Sequence, residues 1–218
     1  MVVRSRTAAA LVLGACLGGT LPAWVPSSAV AAEPDARQVP LKAGVFLVAS
    51  PALGDPNFRQ TVVLLCIYEP EGTLGVVVNR PTDLLLSEAL PTIPGLQGKP
   101  DVLFAGGPVQ PNGLVLLFRM DQEPADTRKV LQGVYMGGNI DTLARILSQP
   151  KPSEAFRAYA GYAGWAPGQL EFEMAMGSWG LVQADAASIF DKDPARLWDE
   201  LSNALKAPQT ISFPHPGR

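Results

Sequence analysis

The sequence contains a single histidine and two cysteines, and this scarcity excludes several kinds of site. His215 lies between two prolines near the C-terminus, so neither a histidine general base nor a Ser-His-Asp triad is expected. The usual histidine and cysteine ligands of zinc are missing. No nucleophile elbow, phosphate loop or dinucleotide fingerprint occurs. We therefore predict no catalytic residue, no metal and no cofactor.

A clear excess of one charge is also missing. The chain has 17 basic and 20 acidic residues, a formal net charge of −3. Nucleic-acid binders usually carry a basic patch, and no cluster of lysine and arginine occurs here, so binding to nucleic acid is not expected. Hydrophobic residues make up 47% of the chain, which excludes a disordered protein and indicates a packed core.

No apolar run is long enough to span a membrane, but the N-terminus has the pattern of an export signal. Arg4 and Arg6 form a positive segment, Thr7 to Leu21 is apolar, and Ala29-Val30-Ala31 offers a small-residue cleavage site. We predict a signal peptide at 1–31, a linker at 32–43 and export to the periplasm. The alternative is a cytoplasmic protein whose N-terminal extension is not a true signal.

The two cysteines fall in different parts of the chain. Leu13-Gly14-Ala15-Cys16 resembles a lipobox, so a lipid anchor at Cys16 is an alternative to ordinary cleavage near Ala31. The apolar stretch that follows Cys16 is unlike a polar tether and favours ordinary cleavage. Cys66 lies in an apolar run and is predicted to be a buried small hydrophobe. After cleavage it has no partner for an intramolecular disulfide.

Apolar patterns predict both strands and helices in one domain at 44–206, followed by a flexible tail at 207–218. Short runs rich in β-branched residues predict buried strands, and turn chemistry at 69–72 predicts a hairpin. Mixed elements with hairpins favour an α+β fold over a doubly wound parallel sheet. Strands are predicted at 44–49, 61–67, 73–79, 102–104, 114–118, 133–136 and 156–162. Helices are predicted at 84–90, after Asn139, from Pro167 and from Asp193.

Four motifs, in order over roughly residues 44 to 200, resemble the YqgE/AlgH family. They are Phe46–Phe58, Gly75–Pro81, Gly106–Val109 and Tyr159–Glu171. The resemblance implies a bifurcated, mainly antiparallel β-sheet with a small barrel-like part, surrounded by helices. It implies no established activity, although the link of one branch to alginate regulation suggests a regulatory role. The export-like extension, which family members usually lack, is at odds with a cytoplasmic role in transcription.

Polar residues at the ends of the predicted strands form the candidate site. Arg80 precedes Pro81, which stiffens its backbone, and its guanidinium suits a carboxylate or phosphate group. We predict that these segments meet at one surface depression that binds a small anionic ligand or a protein partner. The alternative is structural, with Asp55 and Asn57 capping a turn and Arg80 paired to Asp55 or Glu171. The predicted ligand-binding residues are Asn57, Arg59, Asn79, Arg80, Trp165, Gln169 and Glu171.

Two functions remain open on these residues. The first is a binding or regulatory module without catalysis. The second is a hydrolase or transferase that uses Asp55, Glu171, Arg59 and Arg80, since carboxylate pairs support such chemistry. The second function requires Asp55 and Glu171 to converge on one pocket, whereas separate caps would exclude it.

Overall fold

The computed structural model describes residues 39–137, 140–148, 150 and 154–206. The predicted signal peptide, Cys16, the predicted cap Asn139 and the predicted tail lie outside the described residues. At the end of the predicted linker, Val39 and Leu41 pack against the core, so this part of the linker belongs to the folded unit.

Strands dominate the described part of the chain, and helices follow mainly in its second half. The segment between the fourth and fifth strands contains the first helix and then a 3-10 turn at Pro94–Leu96. The strands are β1 Val45–Ala49, β2 Val62–Glu69, β3 Gly72–Val77, β4 Pro81–Leu85, β5 Val102–Ala105, β6 Val109–Arg119, β7 Thr127–Leu131, β8 Val134–Gly137, β9 Ala155–Trp165 and β10 Trp179–Gln183. The helices are α1 Leu86–Ala89, α2 Ile140–Ser148, α3 Gln169–Ala175, α4 Ala186–Phe190 and α5 Pro194–Lys206.

The sheet divides at β9. One edge of β9 pairs with β6 along most of its length, while the other edge is shared by β5 and then β3. Along the main path the strand order is β10-β1-β2-β3-β9-β6-β8-β7, with β4 beside β5. Of the described pairings, β5 with β9 is parallel and the others are antiparallel. The curled sheet forms a half-barrel, which confirms the predicted α+β class and the bifurcation.

The apolar run of β1 is buried on both faces. Phe46 and Val48 face the cluster that α4 and α5 cover, while Val45, Leu47 and Ala49 face the cluster beneath α3. Each of these five side chains is at most 1% exposed. A third cluster lies under α1 and α2. Burying each larger apolar side chain contributes about 1.5–3 kcal/mol, so the helices are held by the sheet faces that they cover.

One predicted helix is shorter than expected. Leu84 and Leu85, predicted to begin a helix, belong to β4, and the helix covers only Leu86–Ala89. The reason is tertiary: β4 pairs with β5, and the Thr82 hydroxyl donates to the carbonyl of Leu103 at 2.7 Å. Three further elements, β7, β10 and α4, were not predicted from the sequence, whereas the hairpin of β2 and β3 lies where it was predicted.

The Gly106-Gly107 pair permits a close backbone approach to β9. A Cβ atom on Gly107, whose φ is +153°, would lie 2.2 Å from the carbonyl carbon of Tyr162. A Cβ atom on Gly106 would lie 2.3 Å from the carbonyl oxygen of Gly161. Only glycine fits at such contacts, so the motif is explained by packing and does not require a bound phosphate.

Candidate functional site

The predicted site residues separate into a turn, an aromatic platform and one distant carboxylate. Asn57 and Arg59 lie in the turn before β2, and Asn79 and Arg80 follow β3. Trp165 ends β9, and Gln169 and Glu171 lie on α3.

Asn79 and Arg80 hold the turn between β1 and β2 through its backbone. The Asn79 amide accepts from the Val62 N–H at 2.8 Å and donates to the Gln60 carbonyl at 3.0 Å. The Arg80 guanidinium donates to the carbonyl oxygens of Asn57 and Arg59. Gln60 has a φ of +54°, a costly conformation for a residue with a side chain, and these four hydrogen bonds hold it in place.

Arg80 forms no ion pair with Asp55 or Glu171 in the described part of the chain. Burial lowers the pKa of Arg80, and the nearby charge of Asp55 acts in the opposite direction. The Asp55 carboxylate itself accepts from the backbone N–H of Asn57 at 2.8 Å, as expected for a turn cap. Two donors of the Arg80 fork are therefore used inside the protein, which favours the structural role.

Phe58 joins this turn to the aromatic platform, which consists of Phe58, Trp165 and Trp179. The Phe58 ring stacks on Trp165 with centroids 6.3 Å apart and meets Trp179 edge-on at 5.6 Å. The two tryptophan rings are 6.1 Å apart and nearly perpendicular. The predicted segments thus meet, but they do so through the half-buried ring of Phe58, the buried rings of Trp165 and Trp179, and backbone carbonyls.

Glu173 anchors α3 to the platform, and the sequence analysis missed this role. Its Oε2 atom accepts from the indole N–H of Trp165 at 3.0 Å and from that of Trp179 at 2.8 Å. Its other oxygen accepts from the Gln169 amide at 3.0 Å. Leu170, which belongs to the same helix, is fully buried on its inner face. Gln169, predicted to orient a ligand, instead orients Glu173 and accepts from the backbone N–H of Ala166.

Glu171 points away from this network and binds Tyr68. The Tyr68 hydroxyl donates to Glu171 Oε1 at 2.6 Å. This hydrogen bond lowers the pKa of Glu171 and raises the pKa of Tyr68, so the carboxylate is ionised and oriented. Glu171 and Glu69 line a small pocket of about 200 Å³ together with Tyr68, Pro70, Thr73, Pro167 and Gly168.

The outer face of α3 carries large apolar side chains. Phe172 and Met176, one helical turn apart, are 68% and 69% exposed. They exceed the other large apolar side chains of the described residues in exposure. We name Glu171, Phe172 and Met176 the α3 surface.

The two carboxylates considered for catalysis, Asp55 and Glu171, serve separate hydrogen bonds. Asp55 caps its turn, whereas Glu171 on α3 accepts from Tyr68 of β2, and among the described residues Asp55 is not part of the pocket that Glu171 lines. Within the described residues, no group of three or more histidine, cysteine, aspartate or glutamate side chains is placed to hold a metal ion. In the same residues, no helix is both long and apolar enough to cross a membrane.

Comparison with known proteins agrees with the fold. The family model described as AlgH-like, DUF179, matches residues 46–209. A UPF0301 protein of Streptomyces avermitilis is 40% identical over 164 residues, covering 72% of this chain and 83% of that protein. A UPF0301 protein of Myxococcus xanthus is 40% identical over 158 residues, covering 71% and 85%.

Two solved structures share the architecture. The solution structure of AlgH from Pseudomonas aeruginosa has a TM-score of 0.63 and 30% identity, covering 82% of this chain and 98% of that one. A crystal structure of a Corynebacterium diphtheriae protein has a TM-score of 0.65 and 24% identity, covering 80% and 91%, and supports the fold alone. From the family model and these relatives, this chain belongs to the AlgH-like family.

Proposed function

We propose that this chain is a binding module without catalysis, and that its α3 surface contacts a protein partner carrying apolar and basic side chains. The observation that supports this function best is the exposure of Phe172 and Met176 on a helix that Glu173 fixes to the core. Regulation by such a module would come from the partner that it binds.

The apolar side chains of the α3 surface are both exposed and rigidly held. Leu170 and Glu173 hold the inner face of α3, so the outer face loses little conformational freedom when a partner binds. Phenylalanine and methionine are enriched in protein interfaces, and adjacent exposed apolar side chains often mark them. A partner that covers Phe172 and Met176 removes both from water.

The α3 surface also carries negative charge beside its apolar side chains. In the described residues, neither Glu171 nor Glu173 forms an ion pair with a lysine or arginine, while Glu69 pairs with Arg128. The pocket beside Glu171, about 200 Å³, is below the range typical of small-molecule sites but accommodates one side chain. A lysine or arginine of the partner complements this acidic rim.

The enzymatic alternative has less support. A hydrolase or transferase needs its carboxylates near one another, and Asp55 and Glu171 serve separate hydrogen bonds. Binding of an anion by Arg80, with Asn57, Arg59, Asn79, Trp165 and Gln169 around it, stays a prediction, but the backbone carbonyls already occupy two of the Arg80 donors.

The test places a photo-crosslinking amino acid at position 172 or 176 in the native host. The matched control places it at Leu84, which is 41% exposed on β4. We expect the same discrete adduct from positions 172 and 176 and none from 84. We also expect Glu171→Lys to abolish the adduct and Asp83→Lys, an exposed acid on β4, to leave it.

Four outcomes would overturn the proposal. Equal adducts from all three positions would indicate non-specific contact. An adduct composed of two copies of this chain would replace the partner with self-association. An adduct that survives Glu171→Lys, or a crosslinked partner segment without lysine or arginine, would remove the charge argument.

A further inference from the structure

We propose a second binding site, independent of the α3 surface, in a cavity between β5, β9, α2 and α4. The cavity has a volume of about 580 Å³, within the range of small-molecule sites. Arg157 on β9 lines it, with Phe104 of β5 and Phe190 of α4. The site takes an organic anion, with its carboxylate or phosphate group on Arg157 and an apolar body against the surrounding side chains.

The guanidinium of Arg157 is held in place by aromatic and backbone contacts. Its Cζ atom lies 4.6 Å from the centroid of the Phe104 ring, and it donates to the carbonyl of Phe190 at 3.3 Å. No carboxylate within the described residues forms an ion pair with it, and the nearby Asp191 pairs with Arg119 at 2.6 Å. Arginine stays protonated in proteins, so a partly buried positive charge faces this cavity.

The other residues that line the cavity determine the charge and the polarity of the ligand that fits it. Lys99 adds a second positive charge, and Glu154, whose side chain is 3% exposed, is paired with Arg145 at 3.1 Å. The lining itself has two positive residues, Arg157 and Lys99, and two acidic ones, Glu154 and Asp101. Because Glu154 is paired with Arg145, which lies outside the lining, the charges of Arg157 and Lys99 outweigh that of Asp101 in the cavity. Most of the lining is apolar, including Leu86, Val102, Ile146, Leu147 and Phe156.

Geometry therefore favours an amphipathic anion over a bare inorganic one. A guanidinium binds a carboxylate or phosphate through two parallel hydrogen bonds, and the low polarity around it strengthens them. The apolar side chains of the lining cannot form hydrogen bonds with a second charged group of the ligand. They can, however, bury the hydrocarbon part of the ligand away from water.

The experiment uses the full chain and four probes: phenyl phosphate, phenylacetate, inorganic phosphate and neutral benzyl alcohol. We expect calorimetry to detect binding of phenyl phosphate or phenylacetate. We expect inorganic phosphate and benzyl alcohol to bind at least about tenfold more weakly, since each lacks one half of the recognition. If benzyl alcohol binds as tightly as the organic anions, the charge of the ligand plays no role. If inorganic phosphate binds as tightly as they do, the apolar part of the ligand plays no role.

Variants locate the site. Arg157→Gln should weaken binding of the organic anions about tenfold or more, whereas Arg128→Gln, an equal charge change on β7, should leave it unchanged. Nuclear magnetic resonance of the unaltered protein gives a test that needs no variant. Amide shifts induced by phenyl phosphate should cluster at 102–104, 155–158 and 190, and shifts elsewhere, or none at millimolar probe, would overturn the proposal.

Discussion

Arg80 donates a hydrogen bond from its guanidinium to the backbone carbonyl oxygen of Arg59 at 2.9 Å. A second donor of the same side chain reaches the carbonyl of Asn57. The two bonds join the end of β3 to the turn before β2, where Gln60 has a positive φ. Through these two hydrogen bonds, Arg80 stabilises that turn.

We predict that Arg80→Ala lowers the melting temperature. Loss of two charge-assisted hydrogen bonds at a partly exposed site should cost about 1–2 kcal/mol, or about 2–8 °C in a domain of this size. Arg80→Lys should be intermediate, because lysine lacks the planar fork. Differential scanning calorimetry measures the change.

The control for this prediction is Arg196→Ala, which removes an exposed arginine from α5 and should change stability by less than about 0.5 kcal/mol. An Arg80→Ala protein with an unchanged melting temperature would contradict the supporting role. It would favour the alternative in which Arg80 binds an anionic ligand.

The strands β1 and β2, whose apolar runs are mostly buried on both faces, were predictable from the sequence, whereas β7 and β10 were not. The runs of β1 and β2 are continuous apolar segments, since helices or loops cover both sides of them. By contrast, β7 carries polar side chains, and β10 is defined by its pairing with β1, more than a hundred residues away. Such pairings depend on tertiary contacts that local patterns do not contain.

The candidate site was predictable as a set of segments but not as a set of contacts. Residues near Asn57, Arg80 and Trp165 do meet, through Phe58. The role of Glu173 was missed because it depends on Trp179, which lies on the strand that was not predicted. Arg157 was missed because nothing in its local sequence distinguishes it from an ordinary polar residue of a strand.

Removal of residues 1–31 stays a prediction that N-terminal sequencing from the native host checks.

Tyr68→Phe should raise the pKa of Glu171 toward its ordinary value. The Tyr68 hydroxyl is the largest cause that holds this pKa down, since it donates to the ionised carboxylate. The stabilisation from this bond is present above the ordinary carboxyl pKa and is lost as the pH falls through the lowered value. Carbon-13 titration of the Glu171 carboxyl in both proteins measures the shift, and identical titration curves would contradict the assignment.

Cys66 should react with a thiol reagent only after unfolding. Its side chain is fully buried, and burial raises the pKa of its thiol to about 12, so little thiolate exists at neutral pH. In a Cys16→Ser protein, where Cys66 is the sole cysteine, labelling should be slow in buffer and fast in denaturant. Equal labelling rates would show that Cys66 is accessible.

Cys66→Ser should lower the free energy of unfolding by about 1–3 kcal/mol, because a buried hydroxyl replaces a small hydrophobe.

Glu173→Gln should loosen α3 without unfolding the sheet. One carboxylate oxygen accepts both indole N–H groups and the other accepts the Gln169 amide, so an amide at this position turns an N–H group toward one of these donors. Leaving part-buried donors without an acceptor costs about 1–3 kcal/mol. The near-ultraviolet circular dichroism of Trp165 and Trp179 should weaken, while the far-ultraviolet signal of the strands stays. Glu171→Gln on the same helix is the control, since Glu171 accepts from Tyr68 and not from either indole N–H, so the tryptophan bands of the near-ultraviolet spectrum should stay unchanged. If Glu173→Gln leaves that spectrum intact and α3 equally protected from hydrogen exchange, the carboxylate is not the anchor of the helix.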